Sequence, residues 1–206
     1  MEGFAGVFPD AGHVIETPQV CGFPGKDDRR NVLPWSKGPW VDIGVVGREG
    51  LPSGRFIRAV TKPETATTLS VVGVCILWRW AHCNGGCKGR EPRQDHLAWL
   101  AEFVRLRSQL PATRLIIFGD FNQRIPRGRA PRIVYEALLQ AFEGGEIATT
   151  GNLPVAPKSS IDHIAHSLDL PAPGVNVWMD KDTGGRTLSD HSGVWVDSRL
   201  SCCGRG

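Results

Sequence analysis

Two apolar segments, TTLSVVGVCILW (67–78) and RLIIFG (114–119), decide the fold. In the first, both alternating sets of side chains are largely apolar, which is typical of a central strand covered on both faces. The second is a short strand rich in β-branched residues. Between them, apolar residues recur at the i, i+3, i+4, i+7 spacing of a helix with one buried face, at Leu97, Leu100, Ala101 and Val104. The sequence therefore predicts strand, helix and strand in this order, with the helix opening at Pro92 and ending near Gln109.

Further strands are predicted on both sides of this unit. Three precede it, at NVLPWS (31–36), VDIGVV (41–46) and RFIRAV (55–60), and four follow it, at EIATT (146–150), IDHIAHS (161–167), VNVWM (175–179) and GVWVD (193–197). A second helix is predicted from Pro131 through Phe142. Many strands with few helices predict an α/β domain of sheets packed face to face with helices outside. We assign residues 29–198 to this domain, 1–28 to an irregular N-terminal segment and 199–206 to a disordered tail.

Composition limits the function classes. The chain has 206 residues, which is one large domain or one domain with a piece missing. Its formal net charge of +3 is far below that of a protein that coats DNA, so any contact with nucleic acid must be local. The longest apolar run, 71–78, is shorter than the roughly 20 residues of a membrane span. The six cysteines do not have the spacing of a disulfide framework, which predicts reduced thiols. The first residues include no basic residue and no apolar stretch, so no secretory signal is predicted and the protein is expected to be cytoplasmic.

Aspartate precedes three of the six histidines, in the pairs Asp95-His96, Asp162-His163 and Asp190-His191. Chance placement would give fewer than one such pair. The first pair lies in the opening turns of the predicted helix, where a carboxylate suits the helix dipole, so we interpret it as structural. The other two lie beside predicted strands and can reach the rim of a sheet, which is where α/β proteins place ligands.

A fourth polar element, GDFN (119–122), directly follows a strand. On an extended backbone, Asp120 and Asn122 would point to the same side, about 7 Å apart. Taken alone, the segment is better explained as an Asx-type turn that closes the strand. Together with the two Asp-His pairs, it supplies oxygen ligands beside an imidazole. Carboxylates and waters suit Mg²⁺ or Mn²⁺, whereas zinc would require more histidine or cysteine, so a Mg²⁺ or Mn²⁺ site is predicted.

Three motifs, each at the end of a predicted strand, resemble the signature of the endonuclease/exonuclease/phosphatase superfamily: GDFN (119–122), IDHI (161–164) and SDH (189–191). This superfamily includes pancreatic deoxyribonuclease and the abasic-site endonucleases, and the resemblance covers roughly residues 31–197. It implies a two-sheet α/β sandwich with flanking helices, and an enzyme that hydrolyses a phosphodiester with Mg²⁺ or Mn²⁺. Nucleic acid, DNA or RNA, is the first expected substrate. A small phosphorylated molecule or a lipid headgroup is the second.

The resemblance also implies a role for each matching residue. Asp190 is expected to bind the metal, and His191 to contact the phosphate or the attacking water. Asp162 would orient His191, as a carboxylate behind a working imidazole does. Asp120 would share the metal and position or deprotonate the water, and Asn122 would donate its amide N–H to a phosphate oxygen.

Two departures from the family pattern affect the expected site. A further histidine usually lies near the end of the central strand, and here the nearest candidate catalytic residue is His82, several residues late. The family's first strands, which carry an Asn and the Glu that is the main metal ligand, are not recognisable, and only Glu2 could stand in for that Glu. These strands are expected to be missing, which leaves open a non-catalytic remnant that binds a partner. His163, beside Asp162 in a strand, should face the other way and is interpreted as a packing residue.

Two further groups border the motifs. Four guanidinium groups follow the GDFN segment, at Arg124, Arg127, Arg129 and Arg132. Such a cluster, with Arg124 and Arg127 nearest, would bind the phosphates of a substrate, but a solvated loop explains it equally well. Trp78 and Trp80 could stack a base at the mouth of the site, although tryptophan more often serves the core or its rim.

Overall fold

The computed structural model of the chain describes residues 12–18, 30–46, 50–62, 68–81, 83, 89–151, 153, 160–171 and 174–197. Glu2, His82 and the tail 199–206 lie outside these ranges, as does most of the segment 1–28. Neither α-helix within them is long and apolar enough to cross a bilayer.

Ten strands and two α-helices form within these ranges. The strands are β1 (His13–Val14), β2 (Trp35–Ser36), β3 (Trp40–Gly44), β4 (Phe56–Thr61), β5 (Leu69–Cys75), β6 (Leu115–Asp120), β7 (Gly145–Ile147), β8 (Asp162–Ser167), β9 (Gly174–Trp178) and β10 (Gly193–Asp197). The helices are α1 (Gln94–Arg107) and α2 (Arg132–Ala141). Every predicted strand and helix is present, with the predicted bounds at β10 and shifted ends elsewhere. β1 lies in the segment that was expected to be irregular, because a two-residue strand has no periodicity to detect.

The main sheet has six strands in the order β3-β4-β5-β6-β8-β7. β5 and β6 are parallel and are joined through α1, whereas the other neighbours pair antiparallel. β9 and β10 form a separate antiparallel sheet, and β1 and β2 form a third small one. The predicted α/β architecture of sheets with flanking helices is confirmed, with β9 and β10 as the smaller sheet.

β5 is covered on both faces, as its sequence predicts. On one face Val72 and Val74 belong to the main hydrophobic core. On the other face, a Cβ added at Gly73 would overlap with the Val32 side chain, and Pro34 lies just beyond it. The segment that leads into β2 therefore seals the second face of the sheet. β5 ends at Cys75, three residues earlier than predicted, because the chain turns away toward an exposed loop.

The buried face of α1 differs from the predicted one by one residue. Of the predicted face, only Leu100 is buried, while Ala101 is exposed and Leu97 and Val104 are half-buried. The helix instead buries its aromatic side chains, with the Trp99 and Phe103 rings stacked at 5.0 Å. Two large rings remove more apolar surface from water than the aliphatic set, so they decide which face turns inward.

The strand register brings the polar motifs together. Cys75 at the end of β5 is paired with Asp120 at the end of β6, and Asp120 is paired with Asp162 at the start of β8. Gly119 adopts φ +136°, and a Cβ at this position would overlap with the carbonyl oxygen of Val74. Only glycine therefore allows β6 to approach β5 at the residue before Asp120.

We expect Gly119→Ala to destabilise the protein by more than about 4 kcal/mol, because the new methyl group must displace the β5 backbone. Gly144→Ala is the matched control. Gly144 also has a positive φ, +80°, but no atom lies within 4 Å of its added Cβ, so strain of about 1 kcal/mol is expected. Urea unfolding of both variants measures the difference, and equal losses would contradict the close approach.

Candidate active site

The GDFN segment forms a tight turn that ties Asp120 to Asn122. Asn122 lies in the left-handed region at φ +53°. Its backbone N–H donates to Asp120 Oδ1 at 2.8 Å, and its side-chain amide donates to Asp120 Oδ2 at 2.7 Å and to the Ile76 carbonyl at 2.8 Å. The Asx-type turn is thus present, and the two side chains are in contact rather than about 7 Å apart. The turn also fixes the loop that follows β5.

An imidazole–carboxylate pair joins the two sheets at the same rim. Asp162 is the first residue of β8, and His191 lies just before β10. The Nδ1–H of His191 donates to Asp162 Oδ2 at 2.7 Å, so the other ring nitrogen, Nε2, is available to a substrate. This is the orienting contact that the family resemblance implies.

Three side chains converge into a potential metal site. One ligand atom from each of Asp120, Asp162 and His191 lies within 4.8 Å of the others, and all three residues are half-buried. Asp190 stands apart from this cluster. Its side chain is 97% exposed, and its Oδ2 lies 4.0 Å from His191 Nε2.

Charge and burial oppose each other at this cluster. Burial raises the pKa of Asp120 to about 6, and the Asp162 carboxylate acts in the same direction, against the Asn122 hydrogen bond and the positive His191 and Arg55. Burial also raises the pKa of Asp162. For His191, burial alone would lower the pKa, but the Asp162 and Asp120 carboxylates outweigh it and raise the pKa. Burial therefore disfavours the charged forms of both carboxyl groups, and a bound cation would offset this.

Arg55 is a site residue that the sequence reasoning missed. It is only 3% exposed and directly precedes β4. Its guanidinium donates to the carbonyl oxygen and to the Sγ of Cys75, at 3.2 and 3.1 Å. Cys75 in β5 is paired with Asp120 in β6. Arg55 therefore places a buried positive charge near Asp120. The available signal was an arginine at the start of the predicted strand RFIRAV (55–60).

The remaining predicted residues lie in different surroundings. Arg124 and Arg127 are exposed on the loop after Asn122, and Arg127 donates to the Ala130 carbonyl at 3.0 Å. His163 is buried beneath the site, with its ring bound to Thr149 and to the Gln123 carbonyl. This is the packing position that strand alternation predicts.

Several solved structures share this arrangement of strands and helices. A 3'-5' exonuclease from Neisseria meningitidis, NExo, has a TM-score of 0.68 at 17% identity, over 96% of this chain and 84% of that one. A Neisseria 3' phosphatase bound to a product DNA hairpin has a TM-score of 0.57 at 19% identity, over 82% and 74%. An endonuclease/exonuclease/phosphatase from Beutenbergia cavernae has 0.52 at 16%, over 82% of this chain, which spans 47% of that protein's length.

The chain has the fold of these structures, which is the fold that its resemblance to the endonuclease/exonuclease/phosphatase superfamily implies. At these identities the likeness shows the fold alone. The sequence matches no protein-family model and no curated protein. In this superfamily fold, the cluster of Asp120, Asp162 and His191 sits at the rim where both sheets end.

The raised pKa of Asp120 predicts how stability depends on pH. Because the folded-state pKa is about 6 and the ordinary value is 3.8, this group's contribution is fully present below pH 4 and is lost as pH rises through 6. Asp120→Asn should therefore gain stability relative to the wild type at pH 8 without divalent metal, by at most about 3 kcal/mol.

Thermal unfolding at pH 4 and pH 8 measures this effect, and exposed Asp197→Asn is the control. Asp120→Asn should be more stable than the wild type at pH 8 and as stable as the wild type at pH 4. Asp197→Asn should match the wild type at both pH values. A pH-independent difference between Asp120→Asn and the wild type would rule out the raised pKa.

Proposed function

We propose that the protein is a Mg²⁺- or Mn²⁺-dependent phosphodiesterase that acts on nucleic acid. The observation that carries this proposal is the convergence of Asp120, Asp162 and His191 within 4.8 Å at the rim of the sheets. Two motifs distant in sequence meet a third there, in the order that the superfamily resemblance requires. A divalent cation beside an oriented imidazole is a sufficient basis for hydrolysing a phosphate ester.

The residues present fit a divalent cation. Asp120 and Asp162 face each other across paired strands, and burial raises the pKa of each carboxyl group. Two carboxylates in this position favour a hard cation with oxygen ligands. We assign its binding to Asp120 and to Asp190, the carboxylates to which the superfamily resemblance gives this role, while Asp162 also orients His191; Asp190 Oδ2 lies 4.0 Å from His191 Nε2. When bound, the cation supplies positive charge to the phosphate oxygens as negative charge develops on them.

The chain's own residues account for the proton and for orientation. His191 presents Nε2 to the phosphate or the attacking water, because Asp162 holds Nδ1. Asp120 positions the water or accepts its proton. Asn122 donates an amide N–H to a phosphate oxygen, and since both of its amide hydrogens are already used, this requires release of its bond to Asp120.

A nucleic-acid substrate is favoured by charge near the site. Arg124 and Arg127 expose guanidinium groups on the loop that begins at Asn122, where they can contact phosphates beyond the scissile one. One structural neighbour is described as bound to a product DNA hairpin. The competing substrates are a small phosphorylated molecule or a lipid headgroup, neither of which needs an extended row of cations.

Replacing His191 tests the proposed chemistry. With Mn²⁺ or Mg²⁺, the wild type should cleave DNA or a generic phosphodiester, and His191→Ala should lower kcat about 10²–10⁴-fold, because the oriented imidazole is lost. His13→Ala is the matched control, since His13 is exposed in β1 and is expected to leave activity unchanged. Equal activity of wild type and His191→Ala would show that this histidine has no role.

Calorimetric titration tests the metal site independently of activity. We expect Mn²⁺ to bind the wild type, and Asp120→Asn to weaken its affinity at least 10-fold. Asp197→Asn should bind as the wild type does. No binding of the wild type at millimolar metal would favour the alternative function, a non-catalytic member of the fold that binds a partner.

A further inference from the structure

Two exposed tryptophans are connected to the proposed catalytic cluster, one through Asn122 and the other through the strand that follows His191. Trp78 is 45% exposed and Trp178 is 65% exposed. Large aromatic side chains are usually buried, because exposing them to water forfeits the free energy of their burial. Both lie on short connections to residues of the cluster, so their positions relative to it are fixed.

Trp78 is held close to Asn122. The Asn122 amide donates to the Ile76 carbonyl at 2.8 Å. Trp78 follows Ile76 by two residues, so the Cα atoms of Ile76 and Trp78 are at most about 7 Å apart. The intervening Leu77 is buried, and its carbonyl binds the buried His96 ring at 2.6 Å. The loop is therefore anchored on the protein side, while the indole projects from it into solvent.

Trp178 is connected to the cluster at His191 rather than at Asn122. It is paired in register with Gly193, which follows His191 by two residues. The Trp178 ring lies across Gly193, since a Cβ added there would be 3.1 Å from ring atom Cε3. Trp195 lies beside it, with ring centroids 6.3 Å apart and planes at 30°. β9 and β10 thus present an aromatic surface at the end where His191 sits.

We propose that Trp78 and Trp178 stack the unpaired bases on either side of the scissile phosphate, so that the substrate is single-stranded nucleic acid. This inference rests on the proposed function and narrows its substrate class. An indole stacks on any base, because every base has a π-face, and this gives affinity without sequence preference. Next to Trp78, the Arg79 guanidinium lies 4.7 Å from the Trp80 ring centroid and adds positive charge for the backbone.

Paired bases fit this arrangement poorly. In a duplex, the faces of the bases are covered by their neighbours in the stack, so two indoles on opposite sides of one phosphate cannot both reach a base face without unstacking. A small phosphoester without bases gives the two tryptophans nothing to stack on. Two exposed indoles near the cluster therefore favour a flexible single strand over both alternatives.

The test compares binding of three fluorescein-labelled probes of equal length without divalent metal: oligothymidine, a wholly abasic single strand, and a duplex. The wild type should bind oligothymidine at least 10-fold more tightly than either of the others. Trp78→Ala and Trp178→Ala should each weaken oligothymidine binding about 10-fold, while leaving abasic binding unchanged. Trp78→Phe and Trp178→Phe should retain most of the affinity, because phenylalanine still offers a stacking face.

Leu168→Ala is the matched control. Leu168 is 70% exposed at the opposite end of β8, about 20 Å from Asp162 at the rise of a strand, and its removal should leave all three affinities unchanged. Equal binding of oligothymidine and the abasic strand, or equal loss for single strand and duplex in the Ala variants, would overturn base stacking. Failure of the wild type to bind any of the three probes would also overturn base stacking, and would favour a protein partner for the two tryptophans.

A second readout separates this proposal from the catalytic one. With Mn²⁺, Trp78→Ala and Trp178→Ala should each raise the KM for hydrolysis of oligothymidine about 10-fold and leave kcat within about 2-fold, because the indoles hold bases and contact none of the reacting atoms. Hydrolysis of oligothymidine and of the wholly abasic strand by the wild type with equal KM would overturn the stacking proposal alone. Base-dependent binding that needs both tryptophans, without hydrolysis of any ester, would support stacking and contradict the catalytic function.

Discussion

The close approach of β5 and β6 at Gly119 is the constraint on which the site depends. This parallel pairing sets Asp120 opposite Cys75, and the antiparallel pairing with β8 sets it opposite Asp162. A slip of one residue in either pairing would turn a carboxylate to the other face of the sheet. Gly119 therefore matters as much as Asp120, because it allows the strand register that brings two distant motifs together in one cluster.

That register also creates an electrostatic conflict that the fold retains. Asp120 and Asp162 are brought together while partly removed from water: burial raises the pKa of each, and the Asp162 carboxylate also raises that of Asp120. The positive charges of His191 and of buried Arg55 act in the opposite direction on Asp120, and its pKa nevertheless stays raised. A purely structural site would replace one carboxylate with an apolar residue. Keeping both carboxylates lowers the stability of the fold, which is typical of binding and catalytic sites.

The sequence predicted those parts of the structure that depend on local pattern. The alternating and continuous apolar strands and the three motifs were predictable because their spacing reflects local geometry. The buried face of α1 was not, because the area of the Trp99 and Phe103 rings overrode the aliphatic spacing. Arg55 was not either, since its role arises only when β4 and β5 are paired. The contact between Asp120 and Asn122 required a left-handed residue, which residue type alone leaves undetermined.

The three Asp-His pairs show how one pattern serves two purposes. His96 and His163 are buried and both bind Gln123, the residue after Asn122: His96 Nε2 accepts from the Gln123 side chain at 2.7 Å, and the His163 ring donates to its carbonyl. This requires His96 to be neutral, and burial lowers its pKa to about 4. His96 also donates to Leu77, so the Asn122 turn and the loop bearing Trp78 are held by the same ring. Two histidines thus position the rim from within, and only His191 faces the substrate side.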